Sequence, residues 1–236
     1  MFQTNPFLLI TLFIGLSLLP FVAMIATSYL KIVVVMSLIR NALGIQSIPP
    51  NMVINALAMI LTFYIMAPMM GESWQIVQSE LGGTALVQTQ DSSASSSTQA
   101  VDPSTKLFET EAVAKAAEPF REFLSHHTSE RERAFFVHTA ETLWGKDGEL
   151  ASVDPESFYI LIPSFCVSEL TKAFQIGFLV YLPFIAIDII VSNILLAMGM
   201  MMVSPVTISL PFKLLLFVMV NGWTLLIQGL VRGYIL

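Results

Sequence analysis

The chain has 236 residues, of which 55% are hydrophobic and only 12% are charged, with a formal net charge of −6. Soluble domains carry charge on about a quarter of their residues, so this composition favours a membrane protein or a large apolar assembly. No basic run indicates nucleic-acid binding, and the single cysteine excludes an internal disulfide.

The charges are unevenly distributed along the chain. Residues 72–158 hold 15 of the 17 acidic residues and 6 of the 11 basic ones, while the remainder is apolar and slightly basic. This asymmetry predicts an acidic polar insert between two apolar parts. We therefore divide the chain into an N-terminal hydrophobic helical hairpin at 1–71, an acidic helical insert at 72–157 and a C-terminal hydrophobic helical hairpin at 158–236.

The N-terminal part contains two apolar segments, at about 6–39 and 51–70. Each reaches the roughly 20 residues that a membrane-spanning helix needs. No Lys or Arg precedes the first segment and no cleavage signature is clear, so we expect a retained helix. The connection at 40–50 carries Arg40 and no acid, which predicts a cytoplasmic position by the positive-inside rule, with Lys31 as support.

The insert lies on the outer side of the membrane in this topology. Residues 82–105 form a linker rich in Gly, Ser, Thr and Gln, with little apolar surface to bury, and we predict that it is disordered. The following stretches, 106–127 and 129–144, have helical composition with apolar residues at helix-compatible spacings. They predict a small amphipathic helical unit whose apolar faces pack on neighbours.

The third apolar segment is longer than a bilayer requires. Residues 173–203 would form a helix about 46 Å long, whereas the hydrocarbon core is about 30 Å thick. A fourth segment covers about 206–236, so a simple count gives four spans with both termini outside. The excess length argues against a simple arrangement in which each of the four segments crosses the bilayer once. Small residues such as Gly177 and Gly222 favour close helix packing.

Two isolated charges, Asp188 and Lys213, lie inside these apolar segments, at similar distances from the junction between them. A charge at the bilayer centre costs about 2.5–3.5 kcal/mol, so such residues usually have a partner. We predict that they pair, within one hairpin or between neighbouring subunits; the alternative is two snorkelling or solvent-facing side chains. Glu169 and Lys172 lie one helical turn apart, which fits either a local pair or an intersubunit contact.

The junction, 197-AMGMMMVSP-205, contains Met200, Met201 and Met202 in succession. Three successive helical residues point about 100° apart and cannot share a face, whereas in a loop all three can surround a passage. Deformable thioether side chains would seal a narrow opening and still yield to passing chains. The alternative is that these methionines fill irregular gaps in a core.

The sequence offers no candidate catalytic site. It contains no assembly of nucleophile, base and orienting residue, and no phosphate-binding loop. His126, His127 and His138 lack Cys or carboxylate neighbours at metal-ligand spacing, so we interpret them as solvated. We therefore expect no enzyme, no metal site and no other cofactor.

Three stretches carry a resemblance to a known family: 27-TSYLKIVVVMSLIRNALGIQSIPPN-51, 118-EPFREFLSHHTSERERAFF-136 and 168-SELTKAFQIGFLVYLPFIAIDIIVSNILLAMGMMMVSPVTISLPFKLLLFVMVNGW-223. Together they resemble the FliP/SctR family of export-apparatus proteins in bacterial type III secretion. The run around the methionines and the short C-terminus resemble the injectisome branch more than the flagellar branch. Asn221 departs from the pattern, because many members of the family carry Asp there.

The resemblance implies an all-α, membrane-embedded subunit of the bacterial inner membrane, built of paired helical hairpins that are raised largely towards the periplasmic side. It implies five copies that assemble helically with the small S-type and T-type export subunits into a closed cone. Further implied partners are the U-type and V-type export components, the inner rod and needle proteins, membrane lipid, and unfolded secretion substrates that pass along the axis.

The resemblance also assigns roles to individual residues. It implies that Met200, Met201 and Met202 form a gasket around the export path. It further implies that Asp188, Lys213 and Glu169 match family positions linked to subunit contacts. Two other functions remain open from the residues alone: a four-span transporter that uses Asp188 and Lys213 as a coupling site, and a structural scaffold without a conduit.

Overall fold

The computed structural model describes residues 6–45, 48–87, 110–144 and 153–235. Within these ranges the chain forms helices joined by turns and contains no strand, so the all-α prediction is confirmed. The helices are α1 (Pro6–Ile25), α2 (Tyr29–Ala42), α3 (Asn51–Val87), α4 (Thr110–His127), α5 (Glu130–Trp144), α6 (Phe158–Ala197), α7 (Pro205–Met219) and α8 (Gly222–Arg232).

The chain divides into two compact units. Unit 1 comprises Met1–Ile65 and Cys166–Leu236, and unit 2 comprises Met66–Phe165. Both boundaries fall inside long helices, so α3 and α6 each contribute to both units. Helix α3 continues through Val87, and the remainder of the Ser-rich linker, 88–105, lies outside the described residues.

The apolar helices provide two candidate membrane spans, or up to four if each bent helix pair counts as one span. Where the sequence suggested one segment at the N-terminus and one at the C-terminus, the structure divides each into two helices, bent by 55° and 59°. The two single spans are Asn51–Ser79 and Phe158–Ala197, and the bent pairs are Phe13–Ile25 with Tyr29–Ala42 and Pro205–Met219 with Gly222–Arg232.

The first bend lies between α1 and α2, whereas Pro20 lies inside α1. At the bend, the Thr27 hydroxyl donates to the Ala23 carbonyl at 2.6 Å and accepts the Tyr29 N–H at 3.4 Å. The hydroxyl thus satisfies backbone groups that the interrupted helix would otherwise leave without a partner.

The second bend depends on one asparagine. Asn221 has φ of 51°, a left-handed conformation that Asn adopts more readily than most residues. Its N–H donates to the Val218 carbonyl at 3.0 Å, and its own carbonyl accepts the Leu225 N–H at 3.1 Å. Asn221 therefore ends α7 and begins α8, which the apolar pattern at 206–236 did not predict.

Helix α2 lies at the centre of unit 1. Its buried residues Ile32, Val35, Met36 and Ile39 recur at helical spacing and form one apolar face. This face belongs to a core to which α3, α6, α7 and α8 also contribute, through Ile54, Ala58, Ala173, Phe184, Phe217, Leu226 and Leu230. A Cβ atom at Gly177 would overlap Leu38 Cδ1, so the glycine leaves room for the Leu38 side chain between α2 and α6.

Unit 2 contains the acidic helices. The buried Leu124 of α4 and Ala140 of α5 confirm that both helices bury apolar side chains. Phe123 packs against Phe165 with ring centroids 5.8 Å apart, and Phe120 lies 6.3 Å from Phe158. The N-terminal turns of α6 therefore supply the apolar partners of α4 within this unit.

Candidate functional site: a methionine turn and two ion clusters

The methionine turn joins α6 to α7 and begins with a glycine-capped helix end. Gly199 adopts φ of +73°, a conformation that residues with a Cβ atom rarely adopt. The Met200 N–H donates to the Leu195 carbonyl and the Gly199 N–H to the Leu196 carbonyl, both at 3.0 Å. These two bonds are the Schellman pattern, which satisfies the last carbonyls of α6 and fixes the direction of the chain.

The methionine side chains lie on the surface of the chain. Met201 is 83% exposed, Met202 is fully exposed and Met200 is 43% exposed. The alternative that these methionines fill gaps in a core is therefore wrong for the single chain. Three apolar, unbranched side chains project instead from one hydrogen-bonded turn.

The first ion cluster joins α6, α7 and the end of α2. Lys213 Nζ lies 2.7 Å from Asp188 Oδ2, and the buried Ser209 hydroxyl donates to Asp188 Oδ1 at 2.6 Å. Lys213 is almost fully buried, whereas a third of the Asp188 side-chain surface is exposed. The predicted pairing thus occurs within one chain, and the snorkelling alternative is wrong for Lys213.

Lys213 also stabilises the C-terminus of α2. Its ammonium group donates to the Ala42 carbonyl at 3.2 Å. The last carbonyls of a helix lack partners inside the helix and carry the negative end of its dipole. Lys213 therefore neutralises Asp188 and caps α2 at the same time, so a single side chain fixes three helices relative to one another.

The second ion cluster centres on Glu169, which is fully buried on α6. Lys172 Nζ lies 3.0 Å from Glu169 Oε1, which is the local pair that the sequence suggested. Lys31 Nζ lies 3.3 Å from Glu169 Oε2, and the Tyr234 hydroxyl donates a hydrogen bond to the same oxygen. The carboxylate therefore connects α2, α6 and the residues that follow α8.

The Tyr234 ring and hydroxyl act on different partners. Lys31 Nζ lies 4.0 Å above the centre of the Tyr234 ring, a cation–π contact. Burial and the neighbouring Glu169 carboxylate raise the pKa of the Tyr234 phenol above its ordinary value, so the phenol stays protonated and donates. Lys31 is therefore a buried partner of Glu169. It no longer supports the cytoplasmic position that the positive-inside rule predicted for residues 40–50.

The sequence did not predict three members of these clusters: Lys31 as a partner, Tyr234 and Ser209. Lys31 carried a signal, because it is an isolated charge in an apolar segment as Asp188 is. Tyr234 and Ser209 carried none, since a tyrosine near a helix end and a serine in an apolar helix are common and need no ionic partner.

The histidines lie in the helices of unit 2. His126 and His138 are exposed, and His127 Nδ1 lies 2.9 Å from the Phe123 carbonyl oxygen. Over the residues that the structure describes, no group of three His, Cys, Asp or Glu side chains is placed to hold a metal ion. The arrangement of these three histidines therefore gives no support to a metal site.

Comparison with known proteins identifies the family. The sequence model that defines the FliP family matches residues 12–230. The chain is 49% identical over 219 residues to Yop proteins translocation protein R of Yersinia pestis, covering 93% of this chain and 92% of the relative. It is 44% identical over 229 residues to the hypersensitivity response secretion protein HrcR of Ralstonia nicotianae, covering 96% of each.

A flagellar relative is similar over the same length. The chain is 39% identical over 227 residues to flagellar biosynthetic protein FliP of Bacillus subtilis, covering 96% of this chain and 90% of the relative. The span that the family model matches contains the methionine turn, the Asp188 cluster, and the Glu169 cluster except Tyr234. The chain therefore belongs to the FliP family, as its signatures predicted.

Proposed function

We propose that this inner-membrane protein is a core pore-forming subunit of a type III secretion export gate. It conducts unfolded secreted proteins across the bacterial inner membrane, and a ring of methionine turns seals the channel between substrates. The relatives named for translocation and secretion support a role in a secretion apparatus. The observation that carries the finer proposal is the exposure of Met200, Met201 and Met202 on one glycine-capped turn.

The proposed seal follows from the chemistry of this turn. An apolar constriction opposes ions because they would have to shed water without receiving polar partners. Methionine side chains have three rotatable bonds, so a ring of them can close on itself and later rearrange around a polypeptide of any sequence. The hydrogen-bonded backbone at Gly199 would hold the ring in place while the side chains move.

The proposed assembly contains five copies of the chain with the S-type and T-type small export subunits. Neighbouring U-type and V-type components and the inner rod and needle proteins would contact this core. Its hairpins would be raised towards the periplasmic side, with the acidic unit outside. Large exposed apolar side chains on α6 and α7 provide surface for burial against other copies and lipid, including Phe174, Phe178, Ile190, Phe212 and Val218.

The ion clusters would contribute to assembly by fixing the helices that carry these apolar faces. Glu169 is enclosed by partners from its own chain, so its effect on neighbouring copies would be indirect. Asp188 keeps a third of its side-chain surface exposed and would be the member of the clusters that reaches another copy. Lys213 would hold the Asp188 carboxylate in position for that contact.

The seal is tested by replacing Met200, Met201 and Met202 with Ala and measuring ion leakage through the assembled complex without substrate. We expect leakage to rise, because shorter side chains leave an opening where the thioethers met. The matched control replaces three exposed methionines elsewhere, Met52, Met59 and Met219, and should leave leakage at the wild-type level. Unchanged leakage in the turn variant would reject the seal.

Two other functions are separated by simple measurements. The one-third exposure of Asp188 also suits a four-span transporter with Asp188 and Lys213 as its coupling site. The mass of the complex in mild detergent decides between them, since a particle of many subunits excludes that transporter. A scaffold without a conduit is excluded if a stalled secretion substrate crosslinks to a probe at Met201.

A further inference from the structure

Unit 1 contains an apolar cavity of about 540 Å³ between α2, α6, α7 and α8. Every residue that lines it is apolar. Ile176, Val180 and Phe184 form one wall on α6, and Leu225 and Gly229 form the facing wall on α8. No residue of the methionine turn or of either ion cluster lines the cavity, and the proposed conduit function does not use it.

The local sequence explains why this space is open. The left-handed Asn221 turns α8 away from the line of α7, so the two helices cannot fill the gap as one straight rod. Gly229 contributes no side chain, and a Cβ atom placed there would meet nothing within 4 Å. The cavity is thus built by one turn residue and one glycine, and a side chain at position 229 would enter free space.

The cavity is long enough and apolar enough to hold a hydrocarbon chain. The wall from Ile176 to Phe184 spans eight residues, or about 12 Å of helix. A single hydrocarbon chain, which is much narrower than a helix, can lie along the whole wall.

One end of the cavity is positively charged. Lys172 precedes Ile176 by one helical turn on α6, and Arg232 follows Gly229 by three residues on α8, so both cations extend cavity-lining faces. Lys31 belongs to the same end, because a Cβ atom at Gly233 would lie 3.7 Å from its Nζ. Glu169 is the one carboxylate of the ion cluster there, so positive charge is in excess.

We propose that this cavity binds one acyl chain of an anionic phospholipid, with the lipid phosphate held by Lys172 and Arg232. The apolar walls match the hydrocarbon chain, and the cations match a headgroup that carries net negative charge. Arg232 is exposed and Lys172 is 40% exposed, so both can reach a headgroup at the end of the cavity. Zwitterionic lipids would fit the walls equally well but lose the net attraction to the cations.

The test uses the full chain, with the partners that it retains in mild detergent, in phosphatidylcholine nanodiscs. A trace of phosphatidylglycerol with a photoreactive diazirine in its acyl chain is added, and labelled peptides are identified by mass spectrometry. We expect labelling of α6 and α8 residues that line the cavity. The corresponding phosphatidylcholine probe should label them about fivefold less for each cation engaged, since each contributes about 1 kcal/mol.

Two variants separate the contributions of cavity and charge. Gly229→Leu fills the free space and should abolish cavity labelling, while Gly71→Leu, at an equally open glycine outside the cavity, should leave it unchanged. Arg232→Gln should keep cavity labelling but lower the preference for phosphatidylglycerol about fivefold. The ratio of the two lipids within one preparation does not depend on the yield of folded protein, so it remains readable for Arg232→Gln.

The proposal is overturned if phosphatidylglycerol and phosphatidylcholine label the wild-type cavity equally, or if labelling persists in Gly229→Leu. It is also overturned if a photoreactive residue at Leu225 crosslinks to a second copy of the chain in place of lipid. Leakage through the methionine turn is a separate measurement, so failure of either proposal leaves the other standing.

Discussion

The two ion clusters have a similar arrangement but differ in the solvent exposure of their acidic residue. Each places an acid of α6 against a lysine of another helix, at opposite ends of α2. Glu169 is fully buried and its partners come from its own chain, whereas Asp188 remains one-third exposed. The comparison indicates that the Glu169 cluster fixes the fold of one subunit, while the Asp188 cluster also presents a charged group outwards.

This difference in exposure determines how much stability is lost when one residue of a cluster is replaced. Removing one partner from a buried ion pair leaves a charge without compensation and costs about 3–5 kcal/mol. A partly exposed group can recover solvent as a partner, so the loss of its counter-charge costs less. Stability should therefore respond more strongly at the Glu169 cluster, and assembly more strongly at the Asp188 cluster.

The largest effect is expected for Glu169→Ala. The variant leaves Lys31 buried without its carboxylate, which should lower the free energy of unfolding by about 3–5 kcal/mol. Unfolding in detergent is measured through the loss of the helical circular dichroism signal. Glu72→Ala, at an exposed acid of α3, is the control and should change stability little.

A double variant checks the stated cause. Replacing Glu169 with Leu and Lys31 with Met removes both charges and should recover a large part of the stability lost in Glu169→Ala. Tyr234 would then keep its ring contact with the side chain at position 31. If the double variant is as unstable as the single one, an uncompensated Lys31 charge is not the reason for the loss.

The second effect concerns Lys213→Met. The Asp188 carboxylate loses its cation but keeps the Ser209 hydroxyl and its exposed surface, and the Ala42 carbonyl loses its donor. We expect a loss of about 1.5–3 kcal/mol, the range for a hydrogen bond to a charged group. The same unfolding measurement compares it with Glu169→Ala, and equal losses would contradict the distinction between the two clusters.

Exchange of the pair tests assembly. Asp188→Lys with Lys213→Asp restores opposite charges, so it should recover part of the assembly lost in either single variant. Recovery should stay incomplete, because a carboxylate at position 213 cannot donate to the Ala42 carbonyl and faces the negative end of the α2 dipole. Assembly is measured as the mass of the complex in mild detergent. If the exchange recovers no assembly, a role of the Asp188–Lys213 pair in assembly has no support.

A smaller effect is expected for Tyr234→Phe. The variant keeps the ring over Lys31 but removes the hydroxyl that donates to Glu169, which retains both lysines. The loss should be about 1 kcal/mol, close to the net value of one hydrogen bond. Tyr64→Phe, at an exposed tyrosine of α3, is the matched control, and equal behaviour of the two variants would show that the phenol contributes nothing.

The elements that the sequence predicted are those encoded by local pattern. Apolar length and composition indicated α3 and α6, and the depth of two isolated charges on either side of one junction predicted the pairing of Asp188 with Lys213. The i, i+3 spacing of Glu169 and Lys172 fitted a local pair or an intersubunit contact, and the structure contains the local pair. In each case the partners lie within one helix or one hairpin, so chain geometry alone brings them together.

The contacts that the sequence did not predict join distant parts of the chain. Tyr234 reaches Glu169 across 65 residues, and Lys213 reaches the Ala42 carbonyl across 171. A backbone carbonyl has no sequence signature as a partner. The bend at Asn221 did carry a turn signal, the dipeptide Asn221–Gly222, but the continuous apolar pattern at 206–236 outweighed it. These long-range contacts depend on tertiary packing, which the spacing of apolar residues in the sequence does not reveal.

The smallest effect on stability is expected for Lys172→Met. Lys172 pairs with Glu169 at i, i+3 and is 40% exposed, so the pair should contribute only about 0.2–0.5 kcal/mol. Lys31 still compensates Glu169, and the unfolding measurement should separate this variant clearly from Glu169→Ala. Lipid labelling should respond differently, because the variant removes a proposed phosphate ligand and should lower the preference for phosphatidylglycerol about fivefold. A large loss of stability with unchanged lipid preference would contradict both assignments and would make Lys172 an essential structural partner of Glu169 instead of a phosphate ligand.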